Sequence, residues 1–228
     1  MSSKTLAQLF ACFAVVALSL APAGAHAIVI QGNTAASTDH TGSTFEATLT
    51  YAPTSPILAT LTVDLTNTTP AAVGGLLTGF VMNNPDPAKI MGISSFSTNT
   101  SFTQLGLSAK AENGAPFGQF DLGAALGGDW QGGGSPNSGL AATQTGTFVF
   151  TFSGTGLDTL TDQSFVTAPS TGPGMGQGAQ FFVARFRGLP NDGSDKVPAM
   201  AVPEPATSAL LLAGLLAVGG LVARRGRG

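Results

Sequence analysis

Cysteine is almost missing from this 228-residue chain: Cys12 is the only one. It lies in a segment that reads as a removable leader, so the remaining chain has no intramolecular disulfide, no thiolate metal site and no cysteine nucleophile. An exported domain without disulfides must be held by a core of fair size. Charge is scarce too, at 9% of residues. Between Ile28 and Val202 there are five basic and eleven acidic side chains, a net of minus six. No basic patch exists for nucleic acid, and that class of partner is set aside. There are two histidines, and only His40 lies beyond the leader, which excludes a multi-histidine metal centre. No Gly-x-Ser-x-Gly elbow occurs, and no spacing singles out a carboxylate pair for glycoside hydrolysis. The expectation is of a protein that is not an enzyme.

Apolar runs are confined to the two ends. Lys4 gives a positive start, Leu6 to Leu20 an apolar stretch broken only by Gln8 and Ser19, and Ala25-His26-Ala27 the small residues of a cleavage site. This is the form of a secretory signal peptide over 1–27, cut by signal peptidase after Ala25 and Ala27 have been read, with Ile28 as the new first residue. The short run, and Pro22 and Gly24 behind it, argue against an N-terminal membrane helix.

The middle of the chain is patterned for strands. Phe45, Ala47, Leu49 and Tyr51 alternate with polar residues, as do Ala59, Leu61, Val63 and Leu65. Phe148, Phe150 and Phe152 alternate with Thr147, Val149 and Thr151. Period-two alternation marks strands with one buried face, and threonine on the wet face suits a strand without adding charge. A further strand is expected over 178–187, with Phe182, Ala184 and Phe186 on one side and Arg185 and Arg187 on the other. Turn-rich stretches at 67–70, 83–87 and 169–178 separate these runs. No amphipathic helix of useful length appears. The pattern predicts an all-β fold, an antiparallel β-sandwich over 28–195, followed by a short linker at 196–201.

Two places in this domain invite a functional reading. Trp130, the only tryptophan, sits in the glycine-rich stretch 127–136. A loop tryptophan either stacks on a sugar ring or folds back to cover the end of the core, and its large apolar area favours the second. Asn191-Asp192-Gly193-Ser194-Asp195 offers closely spaced oxygens, with Asp192 and Asp195 as candidate calcium ligands. Asp-Gly is equally a hairpin turn signal. Asn67-Thr68-Thr69 and Asn99-Thr100-Ser101 match the glycosylation pattern.

The C-terminal end is the most specific part of the sequence. Val202-Pro203-Glu204-Pro205 precedes an uncharged run, Ala206 to Ala223, closed by Arg224, Arg225 and Arg227. At 1.5 Å per residue the run reaches about 27 Å as a helix, enough for a hydrocarbon core. Arginines favour the cytoplasmic side, which places everything before the run outside the inner membrane. The prolines hold Glu204 on a stiff, extended strip that a protease cleft reads with little ordering cost.

This tripartite tail resembles the PEP-CTERM sorting signal, which exosortases, membrane-embedded cysteine transpeptidases of Gram-negative bacteria, recognise and cleave. The resemblance implies processing near Pro203-Glu204-Pro205, a transmembrane stay over 206–223 with 224–228 in the cytoplasm, and delivery to the cell surface or an exopolysaccharide matrix. It implies no chemistry for the domain itself. A structural or adhesive role is the leading expectation. A glycan- or protein-binding module is the second, and a secreted hydrolase the third.

Overall fold

Each alternating run closes into a strand with its apolar side chains inward. The computed structural model describes residues 27–202. Twelve strands follow in order: β1 (Ala27–Gly32), β2 (Phe45–Ser55), β3 (Leu58–Asn67), β4 (Leu76–Met82), β5 (Ile90–Thr98), β6 (Phe102–Leu105), β7 (Glu112–Asn113), β8 (Gln119–Phe120), β9 (Leu122–Leu126), β10 (Thr145–Gly154), β11 (Phe182–Leu189) and β12 (Gly193–Ala201). One short α-helix, α1 (Asp162–Val166), lies between β10 and β11, after a 3-10 turn at Leu157–Thr159. The fold is all-β, as expected. The signal helix and the transmembrane helix fall outside the described residues. Among the described residues, no helix is long and apolar enough to cross a membrane.

The expected layers are one sheet rather than two. Ten strands run in the order β5-β10-β3-β2-β1-β12-β11-β4-β9-β6, every pairing antiparallel. β12 belongs to both halves: its first part pairs with β11 and its last three residues with β1. At the opposite edge, three residues carry the chain from β5 to β6. The sheet thus folds over on itself and nearly closes. Phenylalanines fill the interior. Phe80 of β4 meets Phe148 of β10 edge-on at 4.9 Å and stacks on Phe182 of β11 at 5.3 Å. Phe45 of β2 meets Phe182 at 5.4 Å. Such ring pairs add to the free energy of burial itself.

The residues expected to be a linker, 196–201, are instead the second half of β12. Val197 and Ala199 alternate inward and are buried. Pro198 suggested a stiff connector because it has no N–H for a ladder. It sits where β12 changes partner from β11 to β1, and its carbonyl accepts from the Asn33 N–H at 2.8 Å.

The half formed by β11, β4 and β9 is buried on both faces. Its inner side joins the phenylalanine core, and its outer side carries Val81, Val183 and Ala125 under a cover of Phe117, Phe120 and Trp130. Double burial explains why β4 and β9 read as unbroken apolar runs rather than alternation. Gly123 is required there, because a Cβ would stand 2.1 Å from the Phe80 carbonyl oxygen of the neighbouring strand.

Tyr51, the chain's only tyrosine, closes the end of the core where β2 overhangs β1. Its ring lies 5.4 Å from Phe165 of α1, and its hydroxyl donates to the Leu157 carbonyl at 2.9 Å. Burial, and the nearby Asp158 carboxylate, push its pKa up to about 12. The unfolded phenol ionises near pH 10. A raised folded value means that its contribution is complete below pH 10 and is lost as pH rises towards 12. Absorbance at 295 nm should follow this one phenol, with a midpoint well above 10. Urea midpoints should fall between pH 10 and 12, and Tyr51→Phe should flatten that dependence.

Candidate functional site

The junction between domain and tail is built by the last turn of the ladder. At Ala199–Ala201, β12 has left β11 and pairs with β1 alone. The Val202 N–H donates to the Val29 carbonyl at 3.0 Å. Rungs to β1 fall on alternate residues, at Pro198, Met200 and Val202, so the Val202 bond is the last described one. The last described rung therefore stands on the residue before Pro203, with no spacer in sequence between the strand and Pro203-Glu204-Pro205. Of the expected sorting residues, Val202 is described and half-buried, while Pro203, Glu204 and Pro205 lie outside the described residues. Arg224, Arg225 and Arg227 lie outside them as well.

The position expected for signal-peptide cleavage falls at the same end of the same ladder. β1 starts at Ala27, which is exposed and pairs with Thr50; Ala25 lies outside the described residues. Because β1 and β12 are antiparallel, the start of β1 and the end of β12 leave the domain side by side.

The structure buries Trp130, the favoured of its two readings, and removes the lesser one as a ligand contact. It is 1% exposed, its indole N–H donates to the Asn113 carbonyl at 3.1 Å, and it packs with Phe117 and Phe120 over Val183. No ring face is left for a sugar. Three of the domain's cations hold this cover down by its carbonyls. Arg185 Nη1 donates to Trp130 O at 2.6 Å, Arg187 Nη1 to Gly133 O at 2.8 Å and Lys196 Nζ to Ala115 O at 2.6 Å. Arg185 and Lys196 stand directly opposite each other on β11 and β12, an unfavourable pairing of like charges. Burial chiefly, and then the neighbouring cations, lower the pKa of both. Alternation placed Arg185 and Arg187 on the outer side of β11; their acceptors, more than 50 residues away in sequence, left no local signal.

The proposed calcium pair also fails. Asp195 is buried, and its carboxylate accepts from Thr38 Oγ1 at 2.9 Å, Thr41 Oγ1 at 2.7 Å and the backbone N–H groups of Asp39 and Thr41. Those four donors occupy the oxygens that a cation would need. Asp192 is exposed, in a turn at φ 57°, and with Asp39 it lines an open depression of about 540 Å³. Among the described residues, no three His, Cys, Asp or Glu gather as a metal site. Asp195 thus ties the 37–43 loop to β12. Asp195→Ala should cost about 3 kcal/mol by leaving buried donors unpaired, read from urea unfolding, while a chelator should leave the parent protein's midpoint unchanged.

The outward face of the other half is different. Thr50 of β2 stands opposite Thr62 of β3, and Thr60 opposite Thr151 of β10. Thr66 and Thr145 hydroxyls bond at 2.7 Å, and Thr147 donates to Asp64 at 2.6 Å. Strand spacing of about 4.8 Å sets these hydroxyls in ranks across the sheet.

Fold and junction define an exported-type β domain that runs without a linker into a C-terminal sorting tail. Residues 201–227 match the family model of the PEP-CTERM protein-sorting motif. The chain carries that motif, the recognition signal for exosortase, which implies export, a stay at the membrane before processing, and then the surface. The match begins at Ala201, the final residue of β12. No curated protein and no solved structure matches the chain.

Proposed function

We propose that the domain is a structural or adhesive component of the cell surface or extracellular matrix, released there when exosortase cuts beside Pro203-Glu204-Pro205. The observation that carries this reading is the direct run of β12 into the sorting motif, which makes the whole domain the delivered cargo. The 1–27 leader starts export, 206–223 holds the chain in the inner membrane, and Arg224, Arg225 and Arg227 keep its end inside. Exopolysaccharide is the proposed partner. The ranked threonine hydroxyls of β2, β3 and β10, with few charges among them, suit a hydrated sugar polymer through many weak hydrogen bonds.

Fractionation of the native host tests this. The processed protein should partition with the exopolysaccharide matrix in normal cells and remain in the inner-membrane fraction of cells lacking exosortase. Recovery of the processed protein wholly in the polysaccharide-free supernatant would reject the adhesive role. Thr50→Arg and Thr62→Arg together should weaken retention if the hydroxyl face makes the contact.

A further inference from the structure

The end of the domain from which the tail departs is also where apolar side chains stand uncovered. Ile57 is 63% exposed, Leu58 38%, Met91 64% and Met200 40%. These are four of the five large apolar side chains exposed among the described residues. Ile57 and Leu58 form the tip of the β2–β3 hairpin. Met91 is the second residue of β5, two strands beyond β3, since Leu58 pairs with Ser153 of β10 and Gly154 of β10 pairs with Ile90. Met200 lies two residues before the end of the ladder. No charged residue occurs from Ala47 to Val63. Lys89 and Asp86, close to Met91 in sequence, pair with each other at 3.4 Å, and the one exposed carboxylate beside the hairpin tip is Asp158, next to Leu157, whose N–H donates to the Pro56 carbonyl at 2.9 Å.

The chain itself says what covers this rim. Only Pro203, Glu204 and Pro205 separate Val202 from the apolar run at Ala206. Four Cα steps span at most about 14 Å. Val202 is bonded to Val29, which pairs with Thr48, and β2 runs on from Thr48 to Ser55. Those seven residues extend about 23 Å at strand rise. Twist of about 20–25° per neighbouring strand trims the projection to about 16 Å over two steps. The hairpin tip therefore reaches at least as far as the point where the apolar run begins. We propose that Ile57, Leu58 and Met91 form a membrane-contact surface, seated in the outer leaflet of the bilayer that residues 206–223 span until processing. This rests on the reading of 206–223 as a span. The contact fixes the domain against the membrane and holds the proline-flanked strip at the headgroup level, where a membrane-embedded transpeptidase works.

The test uses the full chain in a Cys12→Ser background, reconstituted in phosphatidylethanolamine/phosphatidylglycerol vesicles. Single cysteines are introduced by Ile57→Cys, Met91→Cys or, at the opposite end of the domain, Ala71→Cys, and carry an environment-sensitive fluorophore. Nitroxide-labelled lipid should quench the probe at 57 and 91 at least threefold more than at 71. Ile57→Asp should reduce quenching at 91 severalfold without changing the urea midpoint. Protein that floats with the vesicles and resists carbonate extraction, yet is quenched equally at 57 and 71, would overturn the contact and leave the span standing. Protein that does not float would remove the span and the contact together. Signals at 57 that grow with protein-to-lipid ratio and ignore the nitroxide would mark contact between copies and also overturn the proposal.

Discussion

Glu204→Ala should leave the full-length chain in the inner membrane of cells carrying exosortase, with at least a tenfold loss of the processed form in a pulse-chase immunoblot. Glu204 is the only acid between Asp195 and the C-terminus, so no neighbouring carboxylate replaces it. On the proposed reading the two prolines restrict its backbone, and the last described rung, at Val202, sets where the strip starts. On the same reading the carboxylate is the recognition element, and its removal would leave exosortase donors unpaired. Because the ladder closes upstream, the domain's urea midpoint should not change. This separates failed recognition from failed folding. Normal maturation of the variant would mean that the flanking prolines and the apolar run are sufficient alone.

Phe80→Ala should produce the largest loss of stability, about 3–5 kcal/mol. Phe80 is fully buried and touches both halves of the folded sheet: Phe148 at 4.9 Å and Phe150 at 6.3 Å across the core, and Phe182 at 5.3 Å beside it. Its loss opens a cavity between two layers that are otherwise joined through β12 and the β5–β6 connection. For a domain of this size the melting temperature should fall by roughly 10 °C or more. Phe96→Ala is the control. Phe96 is half-buried on the edge strand β5, packs on Phe150 at 5.0 Å, and should cost about 1 kcal/mol. Equal effects of the two would mean that the core is not centred on Phe80.

What could be read in the sequence followed the burial pattern. β2, β3 and β10 have one wet face, so alternation exposed them; β11 alternates because Arg185 and Arg187 stand on its covered outer side, and every inward residue named for the four strands is buried. β4 and β9 are covered on both faces and lost their period-two signal. β12 was missed because Pro198 resembles a linker residue, and only the partner change at that position lets a proline stand there. The sorting tail was legible because it is a local, ordered string of residue types. The cover role of Trp130 followed from its apolar area, but its partners and the role of Asp195 were not legible. Both rest on contacts far along the chain, Asn113 and Arg185 for the first, Thr38 and Thr41 for the second, and no spacing encodes such pairings.

The central claim is that this domain travels as cargo on a sorting tail that is removed. The intact mass of the mature polypeptide purified from its native host tests it most directly. The account predicts a chain that starts at Ile28 and has lost everything beyond the Pro203-Glu204-Pro205 region. A surface form that still carries Arg224 to Gly228 would contradict it.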